Sequence, residues 1–219
     1  MQFIPSEIIN IIFHMIKLKY SIFLMSTNKY FLKTIRILNM HLVSNTITQN
    51  ILEQDKFKYL EKILIYKTTN YLNISHLTFL RSLTLFSVDV EGISRLTNLR
   101  KLNFIGASKH FIQSDIEKLS MITNLSLTNT NIIDISHLTN LKVLKLSGFH
   151  CYVKKYNIYK LTTLTSLVFF NNNNTITNIE YLTNLTFLCA NNKFILDNES
   201  IIKKMTMLTN ICNQKYCYH

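Results

Sequence analysis

The stretch Ile74-Ser75-His76-Leu77-Thr78-Phe79-Leu80-Arg81-Ser82-Leu83-Thr84-Leu85 decides the architecture, because its pattern is written again along most of the chain. The form is Ile-x-x-Leu-Thr-x-Leu-x-x-Leu-x-Leu. It returns from Ile93 to Phe104, Ile116 to Leu127, Ile135 to Leu146, Ile158 to Phe169 and Ile179 to Ala190. A weaker copy runs from Ile202 to Asn213, and a first copy from about Phe57 to Ile65. The anchor positions are Leu60, Leu80, Leu99, Ile122, Leu141, Leu164, Leu185 and Leu208, which are 19 to 23 residues apart. Self-similarity at such a period is the mark of a stacked array.

The spacing has a direct physical reading. The Leu-x-Leu pair alternates with period two, so it is a short strand burying one face. The two leucines before it, three residues apart, suit a tight turn-like or helical return. Neither half buries its apolar side alone, so units must stack, giving a parallel sheet over a continuous apolar filling. Eight units at ~4.8 Å each give a curved slab on the order of 35–40 Å long. The expected fold is an α/β repeat solenoid, a horseshoe with short parallel strands on its concave face, preceded by a small helical module.

These units resemble leucine-rich repeats of the short variety. Asn131-Ile132-Ile133-Asp134-Ile135-Ser136-His137-Leu138-Thr139-Asn140-Leu141 is similar to internalin-like and phosphatase-regulator-like repeats. The resemblance covers about residues 57–213 and implies a protein-binding scaffold. One departure stands out. The family places Asn three residues after the second strand leucine, where its amide bonds backbone in a ladder. Here those positions hold Thr68, Val88, Ala107, Thr130, Phe149, Asn172 and Lys193, so only Asn172 conforms. The backbone groups must be satisfied in another way.

Residues 1–56 do not carry the repeat. Pro5 and Glu7 suit a helix start, and apolar residues then recur at helical spacing. Tyr20 to Met25 and Thr27 to Leu38 read as two more short helices. Three such helices bury too little to stand alone. The stretch resembles an F-box through Ile4, Pro5, Glu7, Ile8, Ile9, Ile12 and Phe13, then Leu24, Met25, Asn28, Lys29, Tyr30 and Phe31. The Asp that the family carries after its first helix is absent. The resemblance implies an adaptor of a cullin-based ubiquitin ligase, docking a Skp1-like linker through Ile4, Pro5, Ile8, Ile12 and Phe13 while the solenoid holds a target. The bland reading is a helical cap over the first repeat. The expected organisation is an F-box-like module at 1–40, a helical connector or cap at 41–56, about eight repeats at 57–213 and a tail at 214–219.

In each strand, the residues flanking the leucines point to the other, concave face. That face is expected to hold the target, through Tyr66, Phe86, Lys101, Ile105, Lys145, Val168, Phe170 and Phe187. None of its positions is acidic, and Lys62, Lys101 and Lys145 are basic. Apolar surface with basic spots suits an interface.

Composition narrows the alternatives. The 219 residues include 24 Lys+Arg and 12 Asp+Glu, for a net charge of +12. Residues 1–56 carry an excess of +3 and residues 57–219 one of +9, so the charge follows length. A nucleic-acid binder more often gathers its charge into a stripe or arm, so a basic nucleic-acid surface is the second alternative, after a scaffold with no ligase link. With 3 Gly and 1 Pro, the chain has no phosphate-cradling loop or nucleophile elbow. The seven histidines are scattered, and nothing converges for catalysis. No enzyme activity, cofactor or metal site is expected; Cys212, Cys217 and His219 alone make a poor metal set. Cys189 and Cys212 share a column of adjacent strands. In the cytoplasmic setting expected without a signal peptide or membrane span, all four cysteines read as free thiols.

Overall fold

The structure is a computed structural model that describes residues 39–43, 49–66, 71–106, 110–148, 153, 155–170 and 176–213. Among these described residues, nine strands form one parallel sheet: β1 (Asn39–Val43), β2 (Lys62–Tyr66), β4 (Ser82–Phe86), β6 (Lys101–Ile105), β7 (Asn124–Thr128), β8 (Val143–Ser147), β9 (Ser166–Phe170), β10 (Phe187–Ala190) and β11 (Asn210–Asn213). Each neighbours the next one in the chain, as stacking of identical units requires. A second, two-residue parallel pair joins β3 (Leu72–Asn73) to β5 (Val90–Glu91) on the return side.

Register follows from the leucines. Ile63, Leu83, Leu102, Leu125, Leu144, Leu167 and Leu188 lie side by side, each the partner of the next. Ile65, Leu85, Phe104, Leu127, Leu146 and Phe169 form a second row two residues along. Both rows are buried, and each such side chain contributes about 1.5–3 kcal/mol by leaving water. A one-residue slip would turn every one of them to solvent, so the register is specified in each unit separately.

The return segments close by two successive three-residue turns. In the second complete unit, Leu96 N–H donates to Ile93 C=O at 2.9 Å and Leu99 N–H to Leu96 C=O at 2.9 Å. The same pair recurs at Leu77 and Leu80, Leu138 and Leu141, Leu161 and Leu164, and Leu182 and Leu185. This is 3-10 geometry, and it accounts for leucines exactly three apart facing one core. Ile74, Leu77, Leu80 and their counterparts up to Leu185 are buried; the last anchor, Leu208, is only half-buried where the stack ends.

With the asparagine ladder missing, three other devices satisfy the backbone. The residue before each strand offers its carbonyl to two backbone N–H groups of the next unit: Arg81 C=O accepts from Arg100 and Lys101, both at 2.9 Å, and Lys142 C=O from Thr165 and Ser166. Thr165 Oγ1 donates to the same Lys142 carbonyl at 3.1 Å. The Asn of Leu-Thr-Asn-Leu bridges units on the return side, Asn98 to Thr78 C=O at 2.9 Å, Asn140 to Ser120 C=O at 3.2 Å and Asn184 to Thr162 C=O at 2.8 Å. His76 and His137, at one repeat position, each donate from Nε2 to the preceding unit's backbone, at Leu52 C=O and Ile116 C=O, both 3.0 Å. Of the positions where Asn was expected, Val88 and Thr130 are buried and Lys193 is exposed; Thr68, Ala107, Phe149 and Asn172 lie outside the described residues.

Just beyond the strands the chain turns through left-handed backbone, at Ser87 (φ 48°), Gly106 (φ 115°), Asn129 (φ 55°) and Gly148 (φ 89°). These turns stack too: Ser87 N–H donates to Ile105 C=O, Gly106 to Thr128 C=O and Asn129 to Ser147 C=O.

Two expectations need correction. Residues 41–56 are not wholly a helical connector, because Asn39–Val43 is a strand in full parallel register with β2, Met40 beside Ile63 and Leu42 beside Ile65. Among the described residues of that connector, helical structure is found at Gln49–Leu52 and from Asp55, in the turn Asp55–Phe57. Cys189 and Cys212 are not free thiols: both are disulfide-bonded, and they are register partners in β10 and β11. Adjacent strands hold facing Cα atoms ~5 Å apart, within the range a disulfide spans.

Candidate binding face of the sheet

The open face is made by the strand residues between the buried leucines, and the alternation is visible strand by strand. β4, β7 and β9 each alternate half-buried and buried residues over five positions, beginning and ending half-buried. Because the strands are in register, the open positions form three columns. The first runs Lys62, Ser82, Lys101, Asn124, Val143, Ser166, and the second Leu64, Thr84, Asn103, Ser126, Lys145, Val168. The third begins Tyr66, Phe86, Ile105, Thr128, Ser147, Phe170.

Seven of the eight residues expected on this face stand in these columns, and Phe187, the partner of Ser166, extends the first. Lys101 and Lys145 are exposed, and Phe86, Ile105, Val168, Phe170 and Phe187 are half-buried. Tyr66 packs against Phe86, ring centroids 5.3 Å apart and planes tilted by 54°. The face therefore has an aromatic corner at one end, Val168 and Phe170 toward the other, and a hydroxyl- and amide-rich middle. That middle is a shallow trough of about 510 Å³ between Lys101, Asn103, Ser126 and Lys145. The parity breaks at Cys189, which is fully buried and disulfide-bonded although it belongs to the second column. The F-box-like residues Ile4, Pro5, Ile8, Ile12 and Phe13 lie outside the described residues.

Sequence reasoning missed two features of this face. Asn103 Oδ1 is buried at the trough with no hydrogen-bond partner among the described residues. Arg81, Arg100 and Lys142 are exposed immediately before their strands, so they form a basic rim where their carbonyls carry the inter-unit ladder. Among the described residues, no carboxylate pairs with these three or with Lys62, Lys101 and Lys145; the ion pairs are His110–Asp89, Lys193–Asp197 and Lys203–Glu199. The rim was legible as a position, one residue before each strand, but not as an outward-facing row.

A second polar group sits on the return side. His110 Nδ1 lies 2.8 Å from Asp89 Oδ2, and its ring is 4.7 Å from that of Tyr71. The Tyr71 hydroxyl is pushed up to about 12, first by its hydrogen bond to Glu91, then by burial and the charges of Glu91 and Asp89. No trio of His, Cys, Asp or Glu among the described residues is placed to hold a metal ion. No helix among them is long and apolar enough to cross a membrane.

Solved structures share this fold. An internalin from Listeria monocytogenes superposes with a TM-score of 0.56 at 18% identity, over 80% of this chain and 60% of that one. A leucine-rich-repeat protein from Leptospira interrogans gives 0.60 at 22% identity, over 83% of this chain and 49% of that one. The chain thus spans about half to three-fifths of the length of these neighbours. No family model matches the sequence, and neither does any curated protein. The fold is a leucine-rich-repeat solenoid.

Proposed function

We propose that the chain is a protein-binding module that holds its target on the open face of the sheet and couples it to a ubiquitin ligase through its N-terminal stretch. The observation that carries the first half is the face itself. Its columns combine Tyr66, Phe86, Ile105 and Phe170 with exposed lysines and no carboxylate. Aromatic anchors beside cationic side chains are the composition of interface hot spots. The second half rests on the F-box resemblance of Ile4, Pro5, Ile8, Ile12 and Phe13, with a Skp1-like linker as the docking partner and the cytoplasm as the setting. Capture of the intact chain by purified Skp1, lost in an Ile8→Asp, Ile12→Asp variant, is the expected result. Failure of the intact chain to be captured would sink the ligase link.

The Cys189–Cys212 bond favours a second reading, a scaffold with no ligase link working in an oxidising compartment, since disulfides persist there and are rare in the cytosol. Acid quenching of the native source followed by alkylation in denaturant separates the two, because burial of Cys189 then no longer shields it. Labelled Cys189 and Cys212 support the cytoplasmic adaptor; protected ones support the scaffold.

A further inference from the structure

We infer that the occupant of the open face is an acidic protein segment lying across the strands, with carboxylates about 10 Å apart that meet Lys62, Lys101 and Lys145. The inference rests on the reading of that face as a protein-binding surface.

Charge is the first argument. Lys62 and Lys101 lie in one column, two strands apart, through the register Lys62–Ser82–Lys101. Two strand spacings are ~9.6 Å. Lys145 lies two strands further on and one column over, on the order of 12 Å from Lys101 by the same spacings. The basic rim of Arg81, Arg100 and Lys142 adds to the positive potential of the trough. Such a field attracts carboxylates and speeds their encounter. A polyproline-type segment with an acid at every third residue repeats at ~9.3 Å on one side, close to the lysine interval.

The stacking surface bears on the choice between a peptide and a nucleic acid. Single-stranded nucleic acids rely on open aromatic platforms for base stacking. Here the Tyr66 and Phe86 rings are packed on each other, and the trough beside them is lined by hydroxyl, amide, lysine and aliphatic side chains with Phe170 as its one aromatic.

The test is fluorescence anisotropy of the full chain with a labelled peptide carrying glutamate at every third position, its glutamine counterpart, and a single-stranded oligonucleotide of matched charge. The glutamate peptide should bind, with affinity falling as salt rises. Lys101→Glu with Lys145→Glu should weaken it by about tenfold or more, and the milder Lys101→Gln, Lys145→Gln pair should act in the same direction. Lys118→Glu with Lys204→Glu, an equal charge change at exposed sites off the face, should leave binding within about twofold. Equal losses in the two glutamate variants would reduce the effect to net charge and overturn the inference. Tighter, face-dependent binding of the oligonucleotide would overturn it in favour of nucleic acid. Equal binding of the glutamine peptide, abolished by Phe170→Asp, would overturn it while leaving the face as a protein site. Skp1 capture through residues 1–40 is independent of all these outcomes.

Discussion

Cys189 and Cys212 stand opposite each other in β10 and β11, both disulfide-bonded. A covalent tie between adjacent units adds to the stacking interface that each repeat depends on. The anchor Leu208 is only half-buried and Ile211 is exposed, so this unit relies on Phe194 and Ile202 for its apolar burial.

The tie closes a loop from residue 189 to residue 212. Constraint of the unfolded chain by a loop of that size is worth about 3 kcal/mol. Reduction, or Cys212→Ser, should therefore loosen the last unit first. Hydrogen exchange is the measurement: amides of Phe187–Asn213 should lose protection while those of Ser82–Ser147 keep theirs. Uniform loss along the chain would contradict a local role for the bond.

A second prediction concerns the stacked turns. A Cβ added to Gly148 would overlap Asn129 Oδ1, and Gly148 has φ of 89°. Both the left-handed backbone and the overlap penalise a side chain, so Gly148→Ala should cost about 2 kcal/mol or more in denaturant unfolding. Combining it with Asn129→Gly removes the overlapping amide and should restore part of the loss. No recovery in the double variant would mean that backbone strain alone sets the cost.

The polar group on the return side gives a pH-dependent signature. A carboxylate accepting from the Tyr71 hydroxyl holds its proton, which is why that group ionises at about 12 instead of the usual 10. Glu91→Gln should move the Tyr71 midpoint back toward 10. Ultraviolet difference titration against Tyr71→Phe isolates it from the other tyrosines. An unchanged midpoint would assign the shift to desolvation and the Asp89 charge instead of Glu91.

Much of this architecture was legible because each unit repeats the same physical demand. Leu83 and Leu85 predict one strand, and Leu102 with Phe104 or Leu125 with Leu127 repeat it, so the three open columns could be written down from parity alone. What escaped was whatever the repeat does not encode. β1 has the alternation of Met40 and Leu42, yet no return leucines precede it in the pattern, so nothing in the sequence tied it to β2. The left-handed turns at Ser87 and Asn129 use residues common elsewhere in this Asn- and Ser-rich chain. The column shared by Cys189 and Cys212 was visible, but the assumption of a reducing compartment outweighed the geometry. Asn103 was placed on the open face correctly, while its unpartnered oxygen depends on neighbours that no one-dimensional pattern specifies.

The open face exists only if the strands stack in parallel at the stated register, and engineered cysteines test that directly. Thr84 and Asn103 are partners in adjacent strands β4 and β6, whereas Thr84 and Ser126 are separated by β6. With Cys151 and Cys217 replaced by serine, Thr84→Cys with Asn103→Cys should form an intramolecular disulfide on mild oxidation, seen as a mass loss of two hydrogens. Thr84→Cys with Ser126→Cys should stay reduced, since its Cα atoms are ~9.6 Å apart. Cross-linking of the second pair and not the first would contradict the register, and with it the face proposed to bind a partner.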